Sequence, residues 1–403
     1  MALLILWLLF WAGPGYDQLL QDGLVAMKAG RMDDARLNLE RAVKAKPDGG
    51  EAWAALAQVY FRLNFAISAR NSASKAETFA AKNPAVLRGL ADYYAVAGDA
   101  GRAADYEERY ALAMGVKDPN AVSEAVELRI RAKQTKAAIA LATRALASGD
   151  NARLRGLLAN AYEADGQKAR AITEYNRAIL LDPYEQGYYF QLSQLLIDEE
   201  NFTTARQVLE AARKIFDKSP EIELALGTAC YGLKKYDDAG FAFLKTVMLA
   251  PQAPQAYSFL GRVIDQSTRW LPEITAVFQS FAEAQPRQYL PQFLYGKALF
   301  LGGKDLAEAE ARLRKSISIE DGFWESHYQL GLLLQKQAKL PQALEELKKG
   351  AKLAPKDPLP HIELARVYDL LGKPAEAKLE RAAAERAAAG ERPRPAPVHH
   401  SRK

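Results

Sequence analysis

Residues 151–183 read NARLRGLLANAYEADGQKARAITEYNRAILLDP. Two amphipathic helices and one tight turn are written in this stretch. Leu158, Ala159 and Tyr162 return to one side of the first helix, because steps of three and four residues share a helical face. Ala171, Tyr175 and Ala178 do the same in the second. Between them stand Asp165 and Gly166, and glycine accepts the left-handed conformation that ends a helix. Asp182-Pro183 closes the second run, since proline disfavours helical geometry in the residue before it. The small side chains of Ala159, Ala171 and Ala178 let the two backbones approach, and Tyr162 and Tyr175 fill the space beside them. One such hairpin cannot bury its own apolar faces and needs neighbours.

The pattern recurs. Closing prolines, or an acidic residue in their place, stand at Pro47, Pro84, Pro119, Asp150, Pro183, Pro220, Pro251, Pro286, Asp321 and Pro355, a period of about 34 residues. A small residue marks the close-packing point of the first helix at Gly23, Ala57, Ala91, Ala159, Gly227, Gly261, Gly296, Gly331 and Ala365. An alanine marks the second at Ala35, Ala69, Ala103, Ala138, Ala171, Ala205, Ala239, Ala309, Ala343 and Ala377. Turn glycines recur at Gly30, Gly98, Gly166, Gly303 and Gly372.

This order of large apolar, small, aromatic, glycine, alanine, aromatic, alanine and proline resembles the tetratricopeptide repeat family. About eleven repeats are read over residues 16–389. The resemblance implies an all-α fold, a right-handed α-α superhelix (solenoid) of stacked helix-turn-helix hairpins. It also implies a non-catalytic scaffold whose concave groove, lined by the first helices, holds a segment of a partner protein. On those helices the candidate partner-binding residues are Asn160, Phe190, Gln191, Gln194, Arg262, Phe293, Lys297, Tyr328 and Arg366. Amides can bond an extended backbone, and aromatic side chains can anchor it. A subclass of the family clamps a C-terminal carboxylate with lysine, arginine and asparagine. Here Asn160, Gln191 and Gln194 lack the basic partners, so that clamp is absent in its usual form.

Three repeats depart from the pattern. The fourth has Val126 at the small position and no turn glycine. The eighth carries Arg269-Trp270-Leu271-Pro272 in its turn, which is expected to be longer and to project from the array. Lys304-Asp305 adds about one residue to the ninth. The last second helix, residues 374–389, is rich in alanine and charge, as a capping helix requires. Residues 390–403 have alternate prolines and no apolar periodicity, and read as a disordered tail.

Residues 1–15 are of another kind. The apolar run 2–12 is too short to span a bilayer and has the length of a signal-peptide core, although no Lys or Arg precedes it. Read as a signal peptide, it makes the protein exported, periplasmic or envelope-associated. Read as a short apolar segment packed on the first repeat, it leaves the protein cytoplasmic. Membrane contact is expected at most through this segment.

The formal net charge is +5, and four basic residues and one acidic in the last thirteen hold most of it. No basic stripe marks the remainder, so no nucleic-acid partner is expected. The lone Cys230 excludes an internal disulfide. His327 and His361 occupy equivalent points of adjacent repeats, and His399-His400 lies in the tail, where two ligands without a third make no metal site. Leu301-Gly302-Gly303-Lys304 falls on a turn with no strand before it, against a phosphate loop. No nucleophile elbow or zinc-protease motif occurs. The reading is therefore no enzyme, no catalytic residue, no cofactor, no metal and no small-molecule substrate. It is a binding scaffold for one or more proteins or peptide segments, placed in bacterial envelope assembly or secretion. The alternatives are a cytoplasmic regulator or co-chaperone-like adaptor, and a substrate-recruiting arm acting in trans with a glycosyltransferase.

Overall fold

The computed structural model describes residues 14–81, 83–115, 119–303 and 305–390. The expected leader (apart from residues 14 and 15), Lys304 and the tail after residue 390 lie outside the described residues. Twenty-two helices and no strand occur among the described residues, paired in succession as eleven hairpins. The first pairs Tyr16–Lys28 with Met32–Ala45, and the last pairs Pro358–Leu370 with Pro374–Gly390. The all-α, hairpin-by-hairpin fold is thus the one the periodicity demands. The chain forms two compact units that divide between Leu196 and Ile197, within helix Gln186–Asp198.

In the first unit, the fifth hairpin (Ala152–Ala164 and Lys168–Leu181) packs as its sequence dictates. Ala159, Ala171 and Ala178 are fully buried, Leu158 is 3% exposed and Tyr175 is 1% exposed. The Tyr175 hydroxyl, sealed in this interface, donates to Asn160 Oδ1 at 2.5 Å and Glu163 Oε2 at 3.0 Å. Asn151 caps the hairpin, its Oδ1 accepting from the Leu154 N–H at 3.0 Å.

The hairpin turn is a Schellman motif. Gly166 takes φ +77°, its N–H reaches Glu163 O at 2.9 Å, and the Gln167 N–H reaches Tyr162 O at 2.8 Å. Ten of the eleven hairpins place a residue with positive φ at this point. Five are the expected glycines. In the others Asn64, Lys133, Glu200, Lys234 and Ala338 do the same, with φ between +54° and +63°. The fourth repeat therefore turns like the rest: Gln134 N–H bonds Arg129 O at 2.9 Å, and Val126 is fully buried at the small position. The backbone geometry is kept where the glycine is not.

The eighth hairpin, in the second unit, is the exception. Its first helix, Pro254–Val263, has 10 residues, and its turn, 264–270, contains no positive φ. The expectation that this turn projects is corrected by the structure. Trp270 folds back onto the second helix of the seventh repeat, Tyr236–Leu249. Its Nε1–H donates to Asp237 O at 2.9 Å, and its ring lies 5.4 Å from that of Phe241. Gly240 makes room, since a Cβ there would stand 3.2 Å from Trp270 Cδ1. Ser267 adds a hydroxyl bond to Asp237. A large apolar ring gains more by covering its neighbour than by standing in water.

The closing residues have a further use. A ring at the fourth position of the next first helix donates to their carbonyls: Trp53 to Pro47 O at 2.9 Å and Tyr257 to Pro251 O at 3.0 Å. His327 Nε2 meets Asp321 O at 3.0 Å in the same way. The last helix runs through Gly390 and exposes mainly alanine and charge, apart from Leu379, which is 69% exposed.

Candidate partner-binding surface

The candidates from sequence all stand on first helices, and each compact unit holds its own set. In the first unit these are Asn160 on Ala152–Ala164, with Phe190, Gln191 and Gln194 on Gln186–Asp198. Gln191 is exposed, whereas Asn160, Phe190 and Gln194 are half-buried. The Asn160 carbonyl already accepts from Tyr175, which fixes its side chain and leaves one lone pair for a ligand. Gln194 Oε1 is buried and lacks a hydrogen-bond partner among the described residues. An unmet buried acceptor is costly unless water or a ligand reaches it. Beside them Gly156 admits the ring of Tyr188, because a Cβ at that point would lie 2.5 Å from Tyr188 Cε1.

In the second unit the candidates form one electrostatic neighbourhood. Lys297, on Tyr289–Gly302, is 8% exposed. Its ammonium donates to Gly261 O at 2.7 Å and to Asp265 Oδ2 at 2.6 Å, and lies 5.9 Å from the Phe293 ring centre. A buried ammonium needs such partners, since desolvation without them would be prohibitive. Lys297 and Phe293, read from sequence as open contacts, are thus structural: Lys297 ties the ninth repeat to the eighth, and Phe293 packs toward the tenth. Phe293 is 7% exposed and packs edge-on to Phe323 at 5.0 Å.

Arg262 and Arg366 are exposed. Arg366 Nη1 bonds both carboxylate oxygens of Glu363 at 2.9 Å. Arg262 has no ion pair among the described residues, and its charge acts on Glu325 and Tyr231. Burial raises Glu325, Asp357 adds to the rise, and Lys297 and Arg262 oppose it. Burial likewise pushes the Tyr328 hydroxyl up to about 12, helped by Glu363, Asp265 and Asp357. Asp265, Glu325 and Glu363 are not marked by the repeat pattern, although Asp265 and Glu363 stand three residues from Arg262 and Arg366 in the chain. The surface therefore offers a guanidinium with no ion pair among the described residues, beside partly desolvated carboxyl and phenol groups.

Burial pushes the Cys230 thiol up to about 11, so it holds its proton at neutral pH. No group of three metal-ligating side chains occurs among the described residues. His327 and His361 meet Glu346 and Glu380 through Nδ1, at 2.7 and 2.6 Å. Each is a clasp between the two helices of one hairpin, repeated in the next.

Tetratricopeptide repeat family models match residues 20–64 and 190–263, and a second model of that repeat matches residues 152–185. No curated protein matches the chain. Among solved structures it is similar to the Cut9-Hcn1 hetero-tetramer of the APC/C, with 14% identity, a TM-score of 0.41, and coverage of 95% of this chain and 96% of that one. It is similar also to yeast Tom70, with 16% identity, a TM-score of 0.39, and coverage of 94% and 92%. The crystal structure of YrrB, described as a TPR protein with an unusual peptide-binding site, is 18% identical, with a TM-score of 0.38 and coverage of 46% and 95%. The matched stretches share one period and one hairpin plan with the repeats between and beyond them, and the chain is a tandem tetratricopeptide repeat protein.

Proposed function

We propose that the first-helix faces hold an extended segment of a partner protein, and that the scaffold serves in bacterial envelope assembly or secretion. Repeats of this family indicate a protein–protein interaction scaffold. The observation that carries the binding surface is Arg262: an exposed guanidinium, without an ion pair among the described residues, set among Tyr231 and Glu325 on first helices and Asp265 in the turn that follows its own. Groups fixed before a ligand arrives lower the ordering cost of binding. Gln194, with its unmet acceptor, supports the same use of the first unit's face. The apolar run at residues 2–12 supports the envelope setting.

Capture from native cells tests the surface. A partner held by the full chain is expected to survive removal of residues 391–403 and to be weakened by joint alanine substitution of Gln191, Gln194 and Arg262, with helicity and melting unchanged. Loss with the tail and indifference to the triple substitution moves the site to the C-terminus. Sequencing of the mature N-terminus tests export: cleavage near Tyr16 is expected, and an intact Met1 overturns it.

A further inference from the structure

The folded-back turn of the eighth repeat encloses a hollow of about 330 Å³ on the second-helix side of the second unit. Leu226 and Cys230, both buried, line it together with Phe241 and Trp270. Phe241 is 43% exposed although it belongs to a packed second helix. At the same point the first, third, fifth and tenth repeats carry Leu37, Asp105, Thr173 and Glu345, so an aromatic ring here is not a demand of the repeat. The Phe241 and Trp270 rings lie between two guanidinium groups, Arg213 at 5.8 Å from Phe241 and Arg269 at 5.5 Å from Trp270.

Charge inside the hollow is balanced. Arg206 pairs with Glu210 at 2.8 Å and approaches Asp238 at 3.9 Å, and Arg269 pairs with Asp237 at 3.5 Å. The rim is not balanced. A second hollow adjoins the first through Asp237, Asp238 and Arg269, and adds Lys234 and Lys235. Both lysines are exposed and have no ion pair among the described residues, and the Schellman turn fixes Lys234 at φ +58°. Apolar floor, neutral wall and basic rim thus lie side by side.

We propose that this hollow is a second docking site, distinct from the first-helix face, for a partner segment in which an aromatic or large aliphatic side chain is flanked by aspartate or glutamate. The anchor would stack on Phe241 and Trp270, as buried anchors at interfaces do. The acidic flanks would meet Lys234 and Lys235 at the rim, where they steer association and set orientation.

The test uses the full chain and a fluorescein-labelled nonapeptide of Asp and Glu around one central Phe. Binding is expected by anisotropy, with quenching of Trp270 emission that a Trp270→Phe protein lacks. Phe241→Ala, and the pair Lys234→Glu with Lys235→Glu, are each expected to weaken binding about tenfold or more, the loss typical of anchor and charge positions. Both are exposed changes, and an unaltered melting curve shows that the fold is kept. The peptide with Ala for Phe, and a Lys-flanked version, should lose at least as much. Joint substitution of Gln191, Gln194 and Arg262 should leave binding unchanged, which separates this site from the first-helix face. No binding at millimolar peptide, equal binding of the Ala peptide, or indifference to Phe241→Ala overturns the proposal. So does tighter binding of a single-stranded oligonucleotide of equal charge, which would reassign the rings to bases.

Discussion

The fifth and eighth repeats carry Arg155 and Tyr257 at the fourth position of their first helices, and the two hairpins close by different means. In the fifth, Arg155 donates to Glu174 of its own second helix and to Asp150, both at 2.6 Å, while Gly166 supplies the left-handed turn. In the eighth, Tyr257 stacks on Phe281 at 3.8 Å, no residue of the turn has positive φ, and Trp270 holds that turn from the side of the seventh repeat. The fifth hairpin is closed mainly by its own backbone and its own side chains, with one hydroxyl bond from Thr135 of the fourth repeat to Asp165 at 2.8 Å and no ring from its neighbour. The eighth is closed in part by its neighbour. In an array whose stability is a sum of repeat and interface terms, the first plan confines damage and the second passes it on.

The strongest way to break the comparison is to empty the fifth core. Tyr175→Ala is expected to cost about 3–5 kcal/mol, as loss of a fully buried aromatic does, in denaturant melts. Hydrogen exchange should place the lost protection in the fifth hairpin and its flanks. Next, Trp270→Ala removes a half-buried ring and should cost about 2 kcal/mol. Here protection should fall in Tyr236–Leu249 as well as in Leu271–Ala284. Loss confined to the eighth repeat would show that the anchor is idle.

Gly166→Ala imposes a side chain on a left-handed residue and is expected to cost about 1 kcal/mol. Gln266→Ala, in a turn without such a residue, should fall within about 0.5 kcal/mol of zero. Equal costs at the two sites would erase the distinction between the turns.

The smallest expected effect sharpens the comparison by adding the tenth repeat, where His327 occupies the position of Arg155. Burial works to lower the His327 value, but the bond to Glu346 and the carbonyl of Asp321 outweigh it and raise the value above 6.5. Burial works to raise Glu346, and the bond to His327 turns the net shift to below 4.5. The histidine's contribution is full below its unfolded value and fades as pH rises through the raised one. The carboxylate's contribution is full above its unfolded value and fades as pH falls through the lowered one. The clasp is therefore strongest between pH 4.5 and 6.5. Amide exchange, corrected for its intrinsic pH dependence, should show Trp324–Lys336 and Leu340–Leu353 loosening above that window, while the arginine clasp of the fifth repeat holds. A flat response in the tenth repeat, or one that His327→Gln fails to remove, discards the ion-pair account.

The hairpins were legible because burial repeats with the period: Ala159, Ala171 and Ala178 vanish from solvent where the pattern puts them. Turns were half legible. Glycine marks a left-handed residue, but Lys133 and Ala338 take the same conformation with nothing in their chemistry to announce it. What the sequence hid is reach. Lys297 looked like Arg262, one period earlier and on the same face, yet one is sealed against Gly261 and Asp265 and the other is bare. Periodicity says which positions are equivalent. It does not say which long side chain bends toward the preceding repeat, because that depends on whether a carboxylate waits within reach there. Trp270 escaped for the same reason: its pocket is made by Gly240 and Phe241 of another hairpin.

The bond from Lys297 to Gly261 O has a counterpart in the other compact unit, where Gln58 Nε2 donates to Gly89 O at 3.0 Å. Each is a rung between the first helices of consecutive repeats. Apolar contacts let such helices slide by fractions of an ångström at little expense, whereas a hydrogen bond to a fixed carbonyl fails over the same distance. The second and third repeats, and the eighth and ninth, are thereby stiff joints, each within its own compact unit. Under tension or twist these joints should yield last.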